Sequence, residues 1–271
     1  MRVFVLGGTG FVGSAFVRHC RRSGIEVQAI WRQNYQSHSG GRCDLLVNAN
    51  GNSRKWLAAE APRRDFDASV TSVMNALYDF SFDRYVHVSS CDVYPDFSDP
   101  SLNAEDTAID VARQSNYGFH KYLAEQLVRH YARCWLIIRL GGVLGPGLKK
   151  NPVFDLLHGL PLRVSVDSRY QYLDTDALAA IVFRLMEAGR WNETFNVAGD
   201  GTVDLRSVAA LAGIEATEGL EIPSGRPECY RINIEKVASF SRPASSTETV
   251  ERYLTSMGRE IPVRRSGERG E

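Results

Sequence analysis

Tyr117 and Lys121 stand four residues apart in Ser115-Asn116-Tyr117-Gly118-Phe119-His120-Lys121, which runs on as Tyr122-Leu123-Ala124-Glu125-Gln126-Leu127-Val128. Phe119, Leu123, Leu127 and Tyr131 recur at helical spacing, so the stretch predicts an amphipathic helix. Side chains four apart on a helix share a face, one turn from each other. Here they are a phenol and an ammonium. Free tyrosine ionises near pH ~10, and a neighbouring cation favours the phenolate and lowers that value. A tyrosine tuned in this way passes protons to and from a hydroxyl or carbonyl near neutrality. The pair gains meaning only from the elements that would hold a substrate and a cofactor against it.

The first of these opens the chain. The apolar run Val3 to Leu6 closes on Gly7-Gly8-Thr9-Gly10-Phe11-Val12-Gly13, and Ser14 to Arg22 then reads as a helix. Strand, glycine turn and helix in this order is the context that a dinucleotide-binding loop needs. Gly7 would allow the tight turn, Gly10 would let backbone amides approach a pyrophosphate, and Gly13 would let helix and strand pack closely. The helix N-terminus adds free amides and partial positive charge. A second strand, Glu26 to Trp31, ends in Arg32 rather than in an acid that would grip both ribose hydroxyls. An arginine there suits a 2′-phosphate, which favours NADP over NAD.

Farther on, Gln33 to Arg42 reads as a polar loop and Asp44 to Ala49 as a buried strand, followed by the turn Asn50-Gly51-Asn52. So little chain separates the two strands that the sheet is expected to be trimmed on that side. A helix over about Asp65 to Phe80 leads to the strand Arg84 to Ser90, whose C-terminal end delivers Ser89 and Ser90 to where open α/β sheets bind ligands. The Tyr117 helix, the strand Trp135 to Leu140 and a glycine-rich turn over Gly141 to Gly147 complete an alternating pattern. That pattern predicts an α/β fold, a Rossmann-like doubly wound parallel sheet. Beyond residue 148 the alternation loosens. Helices are expected over Pro152 to His158, Asp174 to Ala188, Leu205 to Leu211 and Thr247 to Met257, with a strand at Thr194 to Val197. The expected division is a dinucleotide-binding core over 1–148, rejoined by 174–198, and a small substrate-binding lobe from 149–173 and 199–262. Residues 263–271 are expected to form a disordered tail.

Composition narrows the class. The chain has 271 residues, 44% hydrophobic and 24% charged, with 32 basic and 32 acidic side chains. That balance predicts no nucleic-acid partner and no membrane surface, and no apolar run approaches the ~20 residues of a membrane span. The five cysteines, Cys20, Cys43, Cys91, Cys134 and Cys229, are scattered, without a metal-ligand spacing. They are expected to be reduced thiols of a cytoplasmic enzyme with no structural metal.

Together the motifs resemble the extended short-chain dehydrogenase/reductase family, in its nucleotide-sugar epimerase/dehydratase branch. The matching stretches are Gly7 to Gly13, Val88-Ser89-Ser90-Cys91-Asp92-Val93-Tyr94, Tyr117 to Lys121 and Arg139 to Gly147. Arg169 through Asp176-Ala177-Leu178-Ala179, Thr194-Phe195-Asn196-Val197, and Arg226-Pro227-Glu228 with Ile234-Glu235-Lys236-Val237 extend the match. They fall in the family's order across nearly the whole chain, roughly residues 2 to 257. The resemblance implies that Ser90 hydrogen-bonds the reacting oxygen and that Tyr117 is the general acid/base. Lys121 would hold the nicotinamide ribose and lower the tyrosine pKa. It also implies cofactor contacts at Gly7, Thr9, Gly10, Phe11, Val12, Gly13, Arg32, Asn48, Ala49 and Asn50, besides Tyr117 and Lys121. Arg169 and Arg226 would grip the diphosphate of a nucleotide-sugar, for which a planar guanidinium fork is suited. By analogy with the family, pairing into a homodimer would run through helices including the Tyr/Lys one.

Some positions depart from the family pattern. Gly142 replaces an asparagine that contacts substrate, and Ser69 replaces one that steadies the site. After Ser90 stand Cys91 and Asp92, where 4,6-dehydratases carry Asp-Glu as an acid and a base. Relatives of GDP-fucose synthase carry a catalytic cysteine, but one position later than Cys91. Both residues are retained as catalytic candidates. The expected activity is an NAD(P)-dependent oxidoreductase of the 4-ketoreductase or epimerase type, acting on a nucleotide-linked sugar. The alternatives are a 4,6-dehydratase using Asp92, or a non-catalytic NADP-binding sensor or scaffold.

Overall fold

Alternation of side chains along the strands decides the architecture. The structure, a computed structural model, describes residues 1–214 and 227–258; Arg226 and the expected tail lie outside the described residues. In β1 (Arg2–Leu6), Val3 and Val5 join one hydrophobic layer while Phe4 and Leu6 join the other, as the two-residue period of a strand requires. A glycine loop leads to α1 (Gly13–Arg22) and β2 (Glu26–Ile30), and a single turn, α2 (Tyr35–His38), precedes β3 (Arg42–Asn48). Then come α3 (Lys55–Glu60), α4 (Pro62–Phe66), a π-helical turn over Asp67–Thr71, α5 (Ser72–Asp79) and β4 (Ser81–Ser90). The Tyr/Lys helix is α6 (Asn116–Tyr131), followed by β5 (Trp135–Leu140).

The second part of the chain adds β6 (Gly142–Leu144), α7 (Pro152–Leu157), β7 (Arg169–Tyr170), β8 (Tyr172–Asp174) and α8 (Thr175–Glu187). It returns to the main sheet with β9 (Glu193–Val197), then forms β10 (Val203–Asp204), α9 (Leu205–Leu211), α10 (Glu235–Ala238) and α11 (Ser246–Ser256).

Six parallel strands stand in the order β2-β1-β3-β4-β5-β9. This is a Rossmann-like α/β sheet, and no strand lies beyond β2 among the described residues, in line with the trimmed edge. On one face Phe16 and Val17 of α1 and Leu178, Val182 and Leu185 of α8 pack on Val3, Val47, Val86 and Ile138. On the other, Val73 and Ala76 of α5 and Ala124 and Val128 of α6 pack on Phe4, Leu46, Tyr85 and Ile137. A separate apolar cluster gathers Leu144, Val153, Leu156, Tyr172, Leu205, Val208, Val250 and Leu254 from the later elements.

The structure differs from the sequence reading in several places. The polar loop over Gln33 to Arg42 contains the short α2, and Lys55–Glu60 adds a helix that reading did not include. The helix expected from Asp65 begins at Pro62, whose fixed φ suits a first helical turn, and a π turn interrupts it. The glycine-rich turn contains β6, paired in parallel with β8. No described helix is long and apolar enough to cross a membrane.

Candidate active site

The glycine loop is shaped by what it excludes. Gly7 has φ +73°, and a Cβ there would meet the Ala49 carbonyl at 2.9 Å, a conformation and a space that only glycine tolerates. A Cβ on Gly13 would fall on the Gly7 carbonyl oxygen, so α1 can start directly behind the loop only without a side chain. The Gly10 amide donates to the Gly7 carbonyl at 2.8 Å. Among the described residues no side chain caps α1 and its first turn carries no acid; the Ser14 and Ala15 amides donate to the Gly10 and Val12 carbonyls at 2.9 and 3.1 Å, and the positive end of the helix faces the loop with no carboxylate against it. That cradle fits an anionic pyrophosphate. Thr9 is exposed, Phe11 packs towards the second cluster, and Val12 towards the main core. Beside the loop, Asn48 is buried; its Nδ2 donates to the Tyr85 hydroxyl at 2.7 Å and its Oδ1 accepts from the Asn50 amide at 3.0 Å. The Ala49 amide donates to the Leu6 carbonyl at 3.0 Å. Arg32 follows β2 and is exposed.

The C-terminal end of β4 carries the second half of the site. Ser90 Oγ donates to Asp92 Oδ2 at 2.9 Å. Oδ1 of the same carboxylate accepts from Lys55 Nζ at 2.6 Å and from the Tyr230 hydroxyl at 3.2 Å. The α6 helix meets this cluster at Gly118, where a Cβ would collide with the Asp92 carbonyl oxygen. Ser115 caps α6 by accepting the Gly118 amide at 3.1 Å. Tyr117 and Lys121 are both buried on α6, with Lys121 Nζ 5.6 Å from the tyrosine ring centre.

The electrostatics revise one expectation. Burial, and next the Asp92 carboxylate, push the Tyr117 phenol well above its ordinary value, against opposing pulls from Lys55 and a hydrogen bond with Ser90. The sequence reading has Lys121 lowering it. Desolvation outweighs any such pull, and no hydrogen bond joins the two side chains among the described residues. Tyr117 is therefore held as a protonated phenol. Burial also lowers Lys121, to about 8, although Asp65 and Asp92 favour its charge.

Cys91 does not belong with this group. It packs with Val93, Tyr94 and Ile232, its thiol donates to the Arg139 carbonyl at 3.2 Å, and burial followed by Asp92 keeps its pKa well up. A buried thiol held protonated and bonded to the main chain is a poor nucleophile. At Gly142 a Cβ would lie 2.6 Å from the Gln171 carbonyl, so the neighbouring strand occupies the space an asparagine would need. Arg169 is exposed on β7; its main chain pairs with the segment at Glu228 to Tyr230.

Two residues of the cluster, Lys55 and Tyr230, escape the sequence reading. Tyr230 stacks on Phe97 at 4.0 Å and lies under Lys55 Nζ at 4.7 Å. The signal available for Lys55 was the basic pair Arg54-Lys55 just after the third strand; Tyr230 had none. Below the site, Arg139 is buried against Glu125 at 2.8 Å and donates to the Tyr94 hydroxyl at 2.7 Å, while Ser89 Oγ donates to Glu125 at 2.6 Å. This network ties β4, β5 and α6 together.

Comparison with known proteins adds a lineage to the geometry. A family model, the NAD dependent epimerase/dehydratase family, matches residues 3–62 and 41–198. Among solved structures the chain is similar to the UDP-glucose 4-epimerase of Thermotoga maritima with UDP-glucose, at 17% identity and TM-score 0.78 over 95% of this chain and 99% of that one. It is similar to dTDP-4-dehydrorhamnose reductase from Bacillus anthracis str. Ames in complex with NADP, at 15% identity and TM-score 0.78 over 94% and 98%. It is also similar to dTDP-glucose 4,6-dehydratase from the same strain in complex with NAD, at 18% identity and TM-score 0.75 over 95% and 96%. At these identities the likeness establishes the fold. No curated protein matches the chain by sequence.

Proposed function

We propose that this chain, which belongs to the NAD dependent epimerase/dehydratase family, is an NAD(P)-dependent reductase or epimerase of a nucleotide-linked sugar. The observation that carries the reading is the pairing of Ser90 at the end of β4 with Tyr117 and Lys121 buried on α6, in a chain whose first strand runs through a glycine loop into the uncapped start of α1. The glycine loop would hold the pyrophosphate, Arg32 a 2′-phosphate and Lys121 the ribose. The bound nicotinamide supplies or accepts the hydride.

This chain's own residues manage the proton. Tyr117 keeps its proton in the buried site, the state required to protonate a carbonyl oxygen as it becomes an alcohol. Ser90 would hold that oxygen, and Lys121 would supply positive charge beside it. Arg169 would meet the substrate diphosphate, with Arg226 in the same role beyond the described residues.

Asp92 supports reduction or epimerisation over dehydration. Its Oδ1 is held by Lys55 and Tyr230, and the neighbouring Cys91 thiol is committed to the Arg139 carbonyl. An intact Ser90, Tyr117 and Lys121 also speak for an enzyme over a sensor, which needs no proton relay. The test is Tyr117→Phe assayed by NADPH oxidation with nucleotide-linked 4-keto sugars. Turnover should fall by ~10²–10⁴-fold while NADP still binds; undiminished turnover would sink the assignment.

A further inference from the structure

Behind Lys121 the fold buries a carboxylate that the reading above leaves unused. Asp65, on α4, has no exposed surface. Its Oδ2 accepts from His120 Nδ1 at 2.6 Å; its Oδ1 accepts from Asn52 Nδ2 at 2.7 Å and from Ser69 Oγ at 3.3 Å. The proton on Nδ1 follows from its partner, since an ionised carboxylate only accepts. The donors come from three places: α6, the turn after β3 and the π turn. Three donors therefore converge on one fully buried carboxylate. The His120 ring is itself fixed edge-on against Phe66, with centroids 5.4 Å apart.

A buried anion requires a cation, and two candidates lie near. His120 touches it, and Lys121 is the next residue on the helix. Lys121 Nζ lies against Gly51, where a Cβ would approach it to 3.0 Å, and the adjoining Asn52 is the residue that holds Asp65. The groups facing Lys121 are Asp65 from α4, Asp92 from the end of β4, His87 from β4 and Tyr117 on its own helix. Asp92 is already paired with Lys55 at 2.6 Å. His87 is buried, both its ring nitrogens have no partner among the described residues, and it is kept neutral by burial and by Lys121. Asp65 is thus the carboxylate left to balance Lys121.

We propose that Asp65 is a positioning residue of the proton relay: a buried anion, locked by His120 and Asn52, that keeps Lys121 charged and in place. The idea rests on the role given to Lys121 above, but its test does not depend on turnover. The full chain, labelled with ¹³C-lysine, is titrated by NMR with and without NADP, the Lys121 signal being assigned with Lys121→Arg. In Asp65→Asn the Lys121 midpoint should fall by on the order of one unit, and the alkaline limb of any activity profile should move with it. His120→Asn, which keeps a donor where Nδ1 stood, should leave the midpoint in place. Asp65→Ser, which also removes the charge, should lower it likewise and stands in if Asp65→Asn does not fold. An unchanged midpoint in folded Asp65→Asn, or in folded Asp65→Ser, overturns the proposal. A midpoint that rises in His120→Asn also overturns it, because the imidazolium would then be the partner of Asp65. If the wild type turns over no nucleotide-sugar while the midpoint shifts as expected, the enzymatic reading fails and the Asp65–Lys121 coupling stands.

Discussion

Burial holds the Lys121 ammonium down at about 8, below the ~10.4 of an unfolded lysine, and this single shift acts on stability and on catalysis in opposite directions. Between those two values the unfolded chain binds more protons at this site than the folded chain does. The contribution of Lys121 to stability therefore rises as pH rises through the window. Catalysis that needs the cation runs the other way, and turnover should decline as pH passes about 8. The two effects separate in Lys121→Met, which removes the buried charge. Its stability advantage over wild type, read from urea midpoints, should be largest near neutrality and shrink towards pH ~10. A difference that stays constant across that range would mean that Lys121 is not held below its ordinary value. Tyr117 illustrates the same competition. Its neighbour in sequence points to a lowered pKa, yet desolvation and Asp92 win, because the pair's spacing says nothing about how deeply the helix is buried.

Helix α6 shows which parts of such a site a sequence can reveal. Its helical period and the Tyr/Lys spacing are local, so they were legible, as was Ser90 at a strand end, while the Ser115 cap went unread. Lys55, Asp92 and Tyr230 meet across as many as 175 residues of chain, and no local pattern announces that contact. The same limit applies to Cys91, which the sequence left open between a catalytic and an inert buried thiol, because its burial against Val93, Tyr94 and Ile232 is tertiary. The junction of α6 with the turn after β4 yields a test at this scale. Replacing a helical glycine by alanine ordinarily stabilises by ~1 kcal/mol. At Gly118 the added Cβ would strike the Asp92 backbone carbonyl, with the Ser115 cap fixing the helix from the other side. Overpacking of that kind costs ~1–3 kcal/mol, so Gly118→Ala should destabilise in chemical denaturation and lower kcat by displacing Asp92. A stabilised Gly118→Ala would show that helix and turn are not in rigid contact.

Across the whole molecule, strand order decides where a dinucleotide can lie. The chain leaves β1 for β2 on one side and reaches β3 on the other, so the crevice opens at this switch point, outside the carboxyl ends of the strands. The glycine loop sits there. Arg32 follows the edge strand β2 and Ser90 ends β4, three interstrand spacings apart, about 14 Å. An extended cofactor bridging them would put its adenosine end at Arg32 and its reactive end at Tyr117. The sheet stops at β2, so nothing described beyond that edge competes for the arginine, and Trp31 beside it is 37% exposed. A free guanidinium at that place pairs with a 2′-phosphate and gains nothing from a 2′-hydroxyl. Arg32→Ser should therefore weaken NADP binding by about tenfold, ~1.4 kcal/mol, and leave NAD binding close to wild type. Quenching of Trp31 emission, checked against thermal shift with each cofactor, reads both affinities. Equal losses for the two cofactors, or none for NADP, would remove Arg32 from the 2′-phosphate and leave the choice of cofactor to the glycine loop and the β3 end.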